Sequence, residues 1–157
     1  MPIAVYFSRR RDGVSAATVR GWARQILSRL DEADAELTIS LVDDVEIRRL
    51  NRDYRRKDRP TDVLAFAMRE GPRVTGDESQ LGDVVISLDT AARQAARRGA
   101  PLGDEVATLL IHGVLHLLGY DHERSAVEAR RMKRKERELR ASLAHSPPGI
   151  QRYKKPA

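Results

Sequence analysis

Two hydrophobic rhythms alternate along the chain, one of period two in short runs and one of helical period in longer runs. IAVYFS (3–8) is a brief apolar run and reads as a strand. Beyond Asp12-Gly13, SAATVRGWARQILSRL spaces Val19, Trp22, Ala23, Ile26, Leu27 and Leu30 as one helix face, with Ser15 as its N-cap. ELTISLVD (36–43) turns Leu37, Ile39 and Leu41 to one side, the pattern of a half-buried strand. Asp43 or Asp44 then caps a helix bearing Val45, Ile47, Leu50 and Tyr54. Arg59-Pro60-Thr61-Asp62 is a turn leading into the strand VLAFAM (63–68).

The polar segment REGPRVTGDESQ (69–80) reads as a hairpin loop, followed by the strand DVVISLD (83–89) and an Ala/Arg-rich helix that stops at Gly99. LGDEVATLLIHGVLHLLG (102–119) is the most apolar helix and is expected at the centre, with Asp104 in its first turn and Gly119 at C′. A charged helix over 124–143 closes the pattern, and His145 beside it reads as a solvated residue. These elements predict an α+β fold, a small four-stranded mixed sheet packed with about five helices. Residues 1–145 form one domain in this reading, and 146–157 a flexible basic tail.

Composition narrows the chemistry. With no Cys, a metal has to be held by His, Asp or Glu. The N-terminal MPIAVYFSRRRDG lacks the apolar core of a secretory signal, and no run of about eighteen apolar residues occurs, so a cytoplasmic protein with no membrane partner is expected. The net charge is +6, and 24 of the 29 basic residues are Arg, whose planar guanidinium suits phosphate. That balance favours a polyanion such as RNA or DNA, although solvated helix faces would account for charge alone.

LIHGVLHLLGYDHE (110–123) holds three of the four histidines. His112 and His116, four apart on a helix, project from nearly the same face. Gly119 lets the helix end and the chain return His122 to the same ion. Three neutral imidazoles leave a fourth position for water or substrate, the arrangement of a catalytic zinc. The spacing is that of a zinc peptidase helix, except that Gly113 stands where the general-base Glu would be. Nothing else on this helix face supplies a carboxylate, which disfavours peptide hydrolysis. Phosphodiester cleavage depends less on that Glu, and Gly113 is read as leaving the site open to a bulky polyanion.

His112-Gly113-Val114-Leu115-His116-Leu117-Leu118-Gly119-Tyr120-Asp121-His122 resembles the H-G-x-L-H-L-x-G-Y-D-H signature of the YbeY family of bacterial metal-dependent endoribonucleases. LNRDYRRKDRPTDVLAFA (50–67) and LGDVVIS (81–87) are similar to two further blocks of that family, in the same order. The resemblance implies zinc or another divalent metal on the three His. It also implies single-strand endoribonuclease activity in ribosomal RNA processing, notably at the 3′ end of the small-subunit RNA, and in ribosome quality control. Partners would be the small ribosomal subunit and ribosome-assembly proteins. One more residue carries over, Arg55 of the Tyr-Arg pair, placed to bind the scissile phosphate. Two positions depart from the pattern. Ala65 replaces Ser and removes a hydroxyl beside the presumed substrate strand, and Ala67 replaces Pro and frees the backbone that follows.

Around Arg55, residues 48–59 carry seven cations against Asp53 and Asp58, and Arg52, Arg56 and Arg59 are read as RNA contacts. The cations of the last helix are read as a solvated face, with Glu128, Glu136 and Glu138 interspersed as i,i+4 partners. Two other classes remain open at this point: a metallopeptidase-like hydrolase, and a non-catalytic zinc-stabilised ribosome-assembly factor that only binds RNA.

Overall fold

The structure, a computed structural model, describes residues 3–68 and 79–144. The expected hairpin loop over 69–78, His145 and the tail over 146–157 lie outside the described residues. In chain order the elements are β1 (Ile3–Phe7), α1 (Ala16–Arg29), β2 (Glu36–Val42), α2 (Asp44–Arg55), β3 (Val63–Ala67), β4 (Gln80–Ser87), α3 (Leu88–Arg98), α4 (Leu102–Leu117) and α5 (Ala126–Ala144). The architecture is the α+β arrangement read from the sequence.

The sheet runs β1-β2-β4-β3. β1, β2 and β4 are parallel, and β3 joins β4 antiparallel as an edge strand. Alternation decides what each face buries. Leu37, Ile39 and Leu41 join Val84, Ile86 and the helices α1, α3, α4 and α5 in the main core. Val42, Leu64 and Val85 face the other way and pack against Ile47 of α2.

Local capping fixes the helix starts. Ser15 accepts the Thr18 N–H and opens α1, as expected, and Asp43 accepts the Glu46 N–H and opens α2. Two helix starts differ from the sequence reading. Leu88 and Asp89, expected as the end of a strand, form the first turn of α3, because the Ser87 hydroxyl accepts the Thr90 N–H and Asp89 suits a helix N-terminus. α5 begins at Ala126 rather than 124, where Ser125 accepts the Glu128 N–H.

β4 also begins earlier than expected, at Gln80, through a bulge. Glu36 pairs with Gln80 and Leu37 with Gly82, so Leu81 is the extra residue. The bulge turns Leu81 into the same core as Val84 and Ile86, where strict alternation would have turned it out. Gly82 has φ +145°, and a Cβ there would run into the Phe66 carbonyl oxygen of β3.

α4 is buried around nearly its whole circumference, the state expected of a helix apolar on all but one narrow face. Its Val106, Leu110, Ile111, Val114 and Leu115 are fully enclosed, each burial contributing about 1.5–3 kcal/mol. One stripe stays half open, with Asp104, Thr108, His112 and His116 four residues apart. α5 lies along it. Arg140 donates to Thr108 and pairs with Asp104, and Glu136 meets His112, which leaves His116 facing open space.

Candidate metal centre and cleft

The third histidine is delivered by the way α4 ends. Gly119 (φ +94°) donates its N–H to the His116 carbonyl, and Tyr120 donates to the Leu115 carbonyl. This pair of bonds is a Schellman cap, which satisfies the last carbonyls and reverses the chain. Tyr120 packs on the core, and His122 comes round to the open end of the stripe.

His112 Nε2 and His116 Nε2 lie 3.2 Å apart, and one ligand atom from each of the three imidazoles falls within 4.8 Å of the others. Two nitrogens bound tetrahedrally at 2.0–2.1 Å would stand roughly 3.3 Å apart, so the donor set fits a zinc-sized ion. Burial, assisted by the adjacent His112 and His122, pushes the His116 pKa below its ordinary value and favours the neutral imidazole that a metal needs.

The sequence reading missed a carboxylate. Glu136 Oε2 stands 2.7 Å from His112 Nδ1, so a proton on Nδ1 leaves the Nε2 lone pair aimed at the centre. Glu136 is therefore not one of the i,i+4 partners expected on a solvated face. It also cannot replace the general base of a peptidase, because it sits on the far side of the His112 ring. Arg131 of the same helix stacks over Tyr120 at 4.9 Å, bracing the turn that carries His122. The only advance signal was a Glu among the cations of an amphipathic helix.

Gly113 has a packing reason as well. It lines the cleft, but a Cβ built on it would lie 2.7 Å from Val84 Cγ1 and 3.1 Å from Cγ2. Val84 is β-branched and fully enclosed, so it has no room to yield. The missing Glu thus reflects close approach of α4 to β4 rather than only space left for substrate.

The three histidines open onto a cleft of about 550 Å³ whose opposite wall is the end of α2, the loop after it and β3. Arg55, Lys57 and Arg59 line it, and among the described residues none of these side chains has a carboxylate partner. Other members of the cluster are placed differently. Arg48 pairs with Asp58, Arg49 with Glu46 and Asp53, and Arg52 with Asp53. Arg56 is the left-handed C-cap of α2 (φ 59°), outside the cleft lining. Of the three further RNA contacts expected from sequence, only Arg59 therefore reaches this cavity.

Asn51, 3% exposed, organises the cationic loop. Its Nδ2 donates to the Arg59 carbonyl, and its own carbonyl accepts the Lys57 N–H. Thr61 and Asp62 line the cleft; the Asp62 carboxylate accepts from Gln94, and its carbonyl accepts the Ser87 N–H, which ties the turn to α3. Ala65 and Ala67, the two departures, also line the cavity. On the far side of β3, Tyr54 meets Phe66 edge-on with ring centres 5.5 Å apart.

Comparison with known proteins gives concordant results. The family model described as "Endoribonuclease YbeY" matches residues 5–144. Proteins named "Endoribonuclease YbeY" from Geobacter metallireducens and Syntrophotalea carbinolica are 47% and 50% identical to this chain. The alignments cover 91% of this chain and 96% of the first relative, and 83% and 87% for the second. A solution structure of TM1509 from Thermotoga maritima is 25% identical with TM-score 0.62, covering 94% of this chain and 98% of that one. With the histidine centre, the cationic wall and a match along nearly its full length, the chain belongs to the YbeY family of endoribonucleases.

Proposed function

We propose that this protein is a zinc-dependent endoribonuclease that cleaves single-stranded ribosomal RNA in the cytoplasm. Its work would include maturation of the small-subunit RNA 3′ end and ribosome quality control, in contact with the small subunit and assembly proteins. One observation carries this reading: three convergent imidazoles face three cations that have no carboxylate partner among the described residues, across one cleft. Such a cleft admits a single strand more readily than a duplex, and its cations suit a phosphodiester rather than a peptide. No described helix is long and apolar enough to cross a membrane.

His112, His116 and His122 would hold the ion. When bound, it supplies Lewis-acid polarisation of a phosphoryl oxygen and an activated water. Arg55 binds the scissile phosphate and offsets the charge that grows on its oxygens in the transition state. Lys57 and Arg59 hold neighbouring phosphates, positioned by the Asn51 bonds to their loop. Gly113 keeps α4 against β4, so that His112 and His116 do not drift from this wall.

Arg55→Ala tests the assignment. Losing one transition-state donor costs on the order of 10²–10³ in kcat. A folded Arg55→Ala protein that cleaves at the wild-type rate would remove Arg55 from the mechanism. Product ends identify the attacking group, since a 2′,3′-cyclic phosphate requires the RNA's own 2′-OH and its absence points to water.

A further inference from the structure

α5 carries more cations than its own carboxylates can serve, and the structure shows where each carboxylate goes. Glu128 faces Arg124, Glu138 pairs with Lys135, and Glu136 is committed to His112. Arg140 is taken by Thr108 and Asp104 of α4, and Arg131 by the Tyr120 ring. Arg130, Lys133, Arg134 and Arg137 remain exposed, and among the described residues none has a carboxylate partner. At 100° per residue these four fall within one stripe roughly 100° wide. Met132, Leu139 and Leu143 bury the opposite side in the core.

Four like charges three or four residues apart repel one another and weaken the helix that carries them. The stripe is not remote from the reaction centre. Lys133 and Arg137 flank Glu136 on the helix and line, with Thr108 and Ile111 of α4, a shallow groove beside His112.

We propose that this stripe of α5 is a second RNA-binding surface, which holds the phosphate backbone of the substrate outside the catalytic cleft. Three of the four cations are Arg, the better phosphate ligand. From 130 to 137 the helix rises about 10 Å, and the long side chains at either end extend the row by roughly another 5 Å each, enough to meet three or four phosphates of one strand. The surface rests on the ribonuclease reading and extends it. The cleft engages the strand at the scissile bond, and α5 engages flanking RNA, so substrate length becomes a determinant of affinity.

The test is the fourfold variant Arg130→Gln, Lys133→Gln, Arg134→Gln and Arg137→Gln, with binding measured against salt in the presence of chelator. Two RNAs are compared, a long ribosomal fragment and a short oligonucleotide that only fills the cleft. Each lost phosphate contact lowers the slope of log K on log salt by about 0.7–0.9, so the long RNA's slope should fall by about three. The short RNA's slope should not change. An unchanged slope for the long RNA overturns the proposal and points to an acidic protein partner instead; an equal loss for both RNAs overturns it by placing these residues in the cleft. Because binding is read without cleavage, failure of the nuclease reading would show separately, as uncut RNA in the metal-loaded wild type.

Discussion

Replacing Glu136 by Gln tests how the proposed metal centre is held. The substitution keeps an oxygen acceptor near His112 Nδ1, at the 2.7 Å contact, but removes the negative charge. A carboxylate on the outer nitrogen fixes the ring's tautomer and makes the inner nitrogen a better donor, and losing such a partner costs 10–100-fold in metal affinity. Both side chains are about 30% exposed (31% and 29%), so solvent screening places the effect near the lower bound, about tenfold or 1.4 kcal/mol. The assay is zinc competition against a chromophoric chelator at fixed pH, with calorimetry for stoichiometry. Glu136→Ala should lose more than Glu136→Gln, because it frees the ring to rotate. Thermal stability of the metal-free protein should change little, which separates the loss from unfolding. A Kd equal to wild type in both variants would refute the brace, and α5 would then contribute only packing to the site.

Two further substitutions probe the scaffold. Gly113→Ala gains helix propensity of up to about 1 kcal/mol, yet its Cβ meets enclosed Val84, and overpacking of this kind costs about 1–3 kcal/mol. The variant should be destabilised on urea titration and partly rescued by Val84→Ala; a Gly113→Ala protein at least as stable as wild type would contradict the packing account. Asp44 is pushed upward by burial, but bonds from Ser87, Thr90 and Arg93, with the Arg93 charge, outweigh this and hold its carboxyl below the ordinary value. A depressed native pKa contributes stability above the unfolded value of about 3.9, lost as pH falls through the native one. Asp44→Asn should therefore cost about 1–3 kcal/mol near neutrality, with the gap to wild type closing as pH drops from 6 towards 3. A gap that does not change with pH would show that the charge of Asp44 is not what ties α2 to α3.

What the sequence disclosed depended on how local the signal was. The histidines were legible because their spacing, four residues on a helix and then a glycine return, is settled within eleven positions. The helices and strands were legible from their periods, and α4 was placed at the centre because it is the most apolar helix of the chain. Glu136 was not legible, because its contact with His112 spans 24 residues and depends on how α5 docks along the stripe of α4. The same docking decides that Glu136 leaves neighbouring cations without a carboxylate partner among the described residues. The bulge at Leu81 was hidden for a related reason: it depends on the approach of Gly82 to Phe66 across the strand pair. Within the α2 cluster, seven cations look alike in sequence. Helix geometry and the carboxylates of Asp53 and Asp58 then separate Arg48, Arg49 and Arg52, which are paired, from Arg55, Lys57 and Arg59, which face the cleft.

In the proposed function the three-histidine centre performs the cleavage. The most direct measurement follows cutting of a single-stranded ribosomal RNA fragment by wild-type and His116→Ala protein, each with metal content determined. Wild type should cut when it carries one ion per chain, stop after chelation and resume on adding zinc, while folded His116→Ala protein neither retains the ion nor cuts. Cleavage that persists in chelated wild type, or in folded His116→Ala protein, would contradict the account.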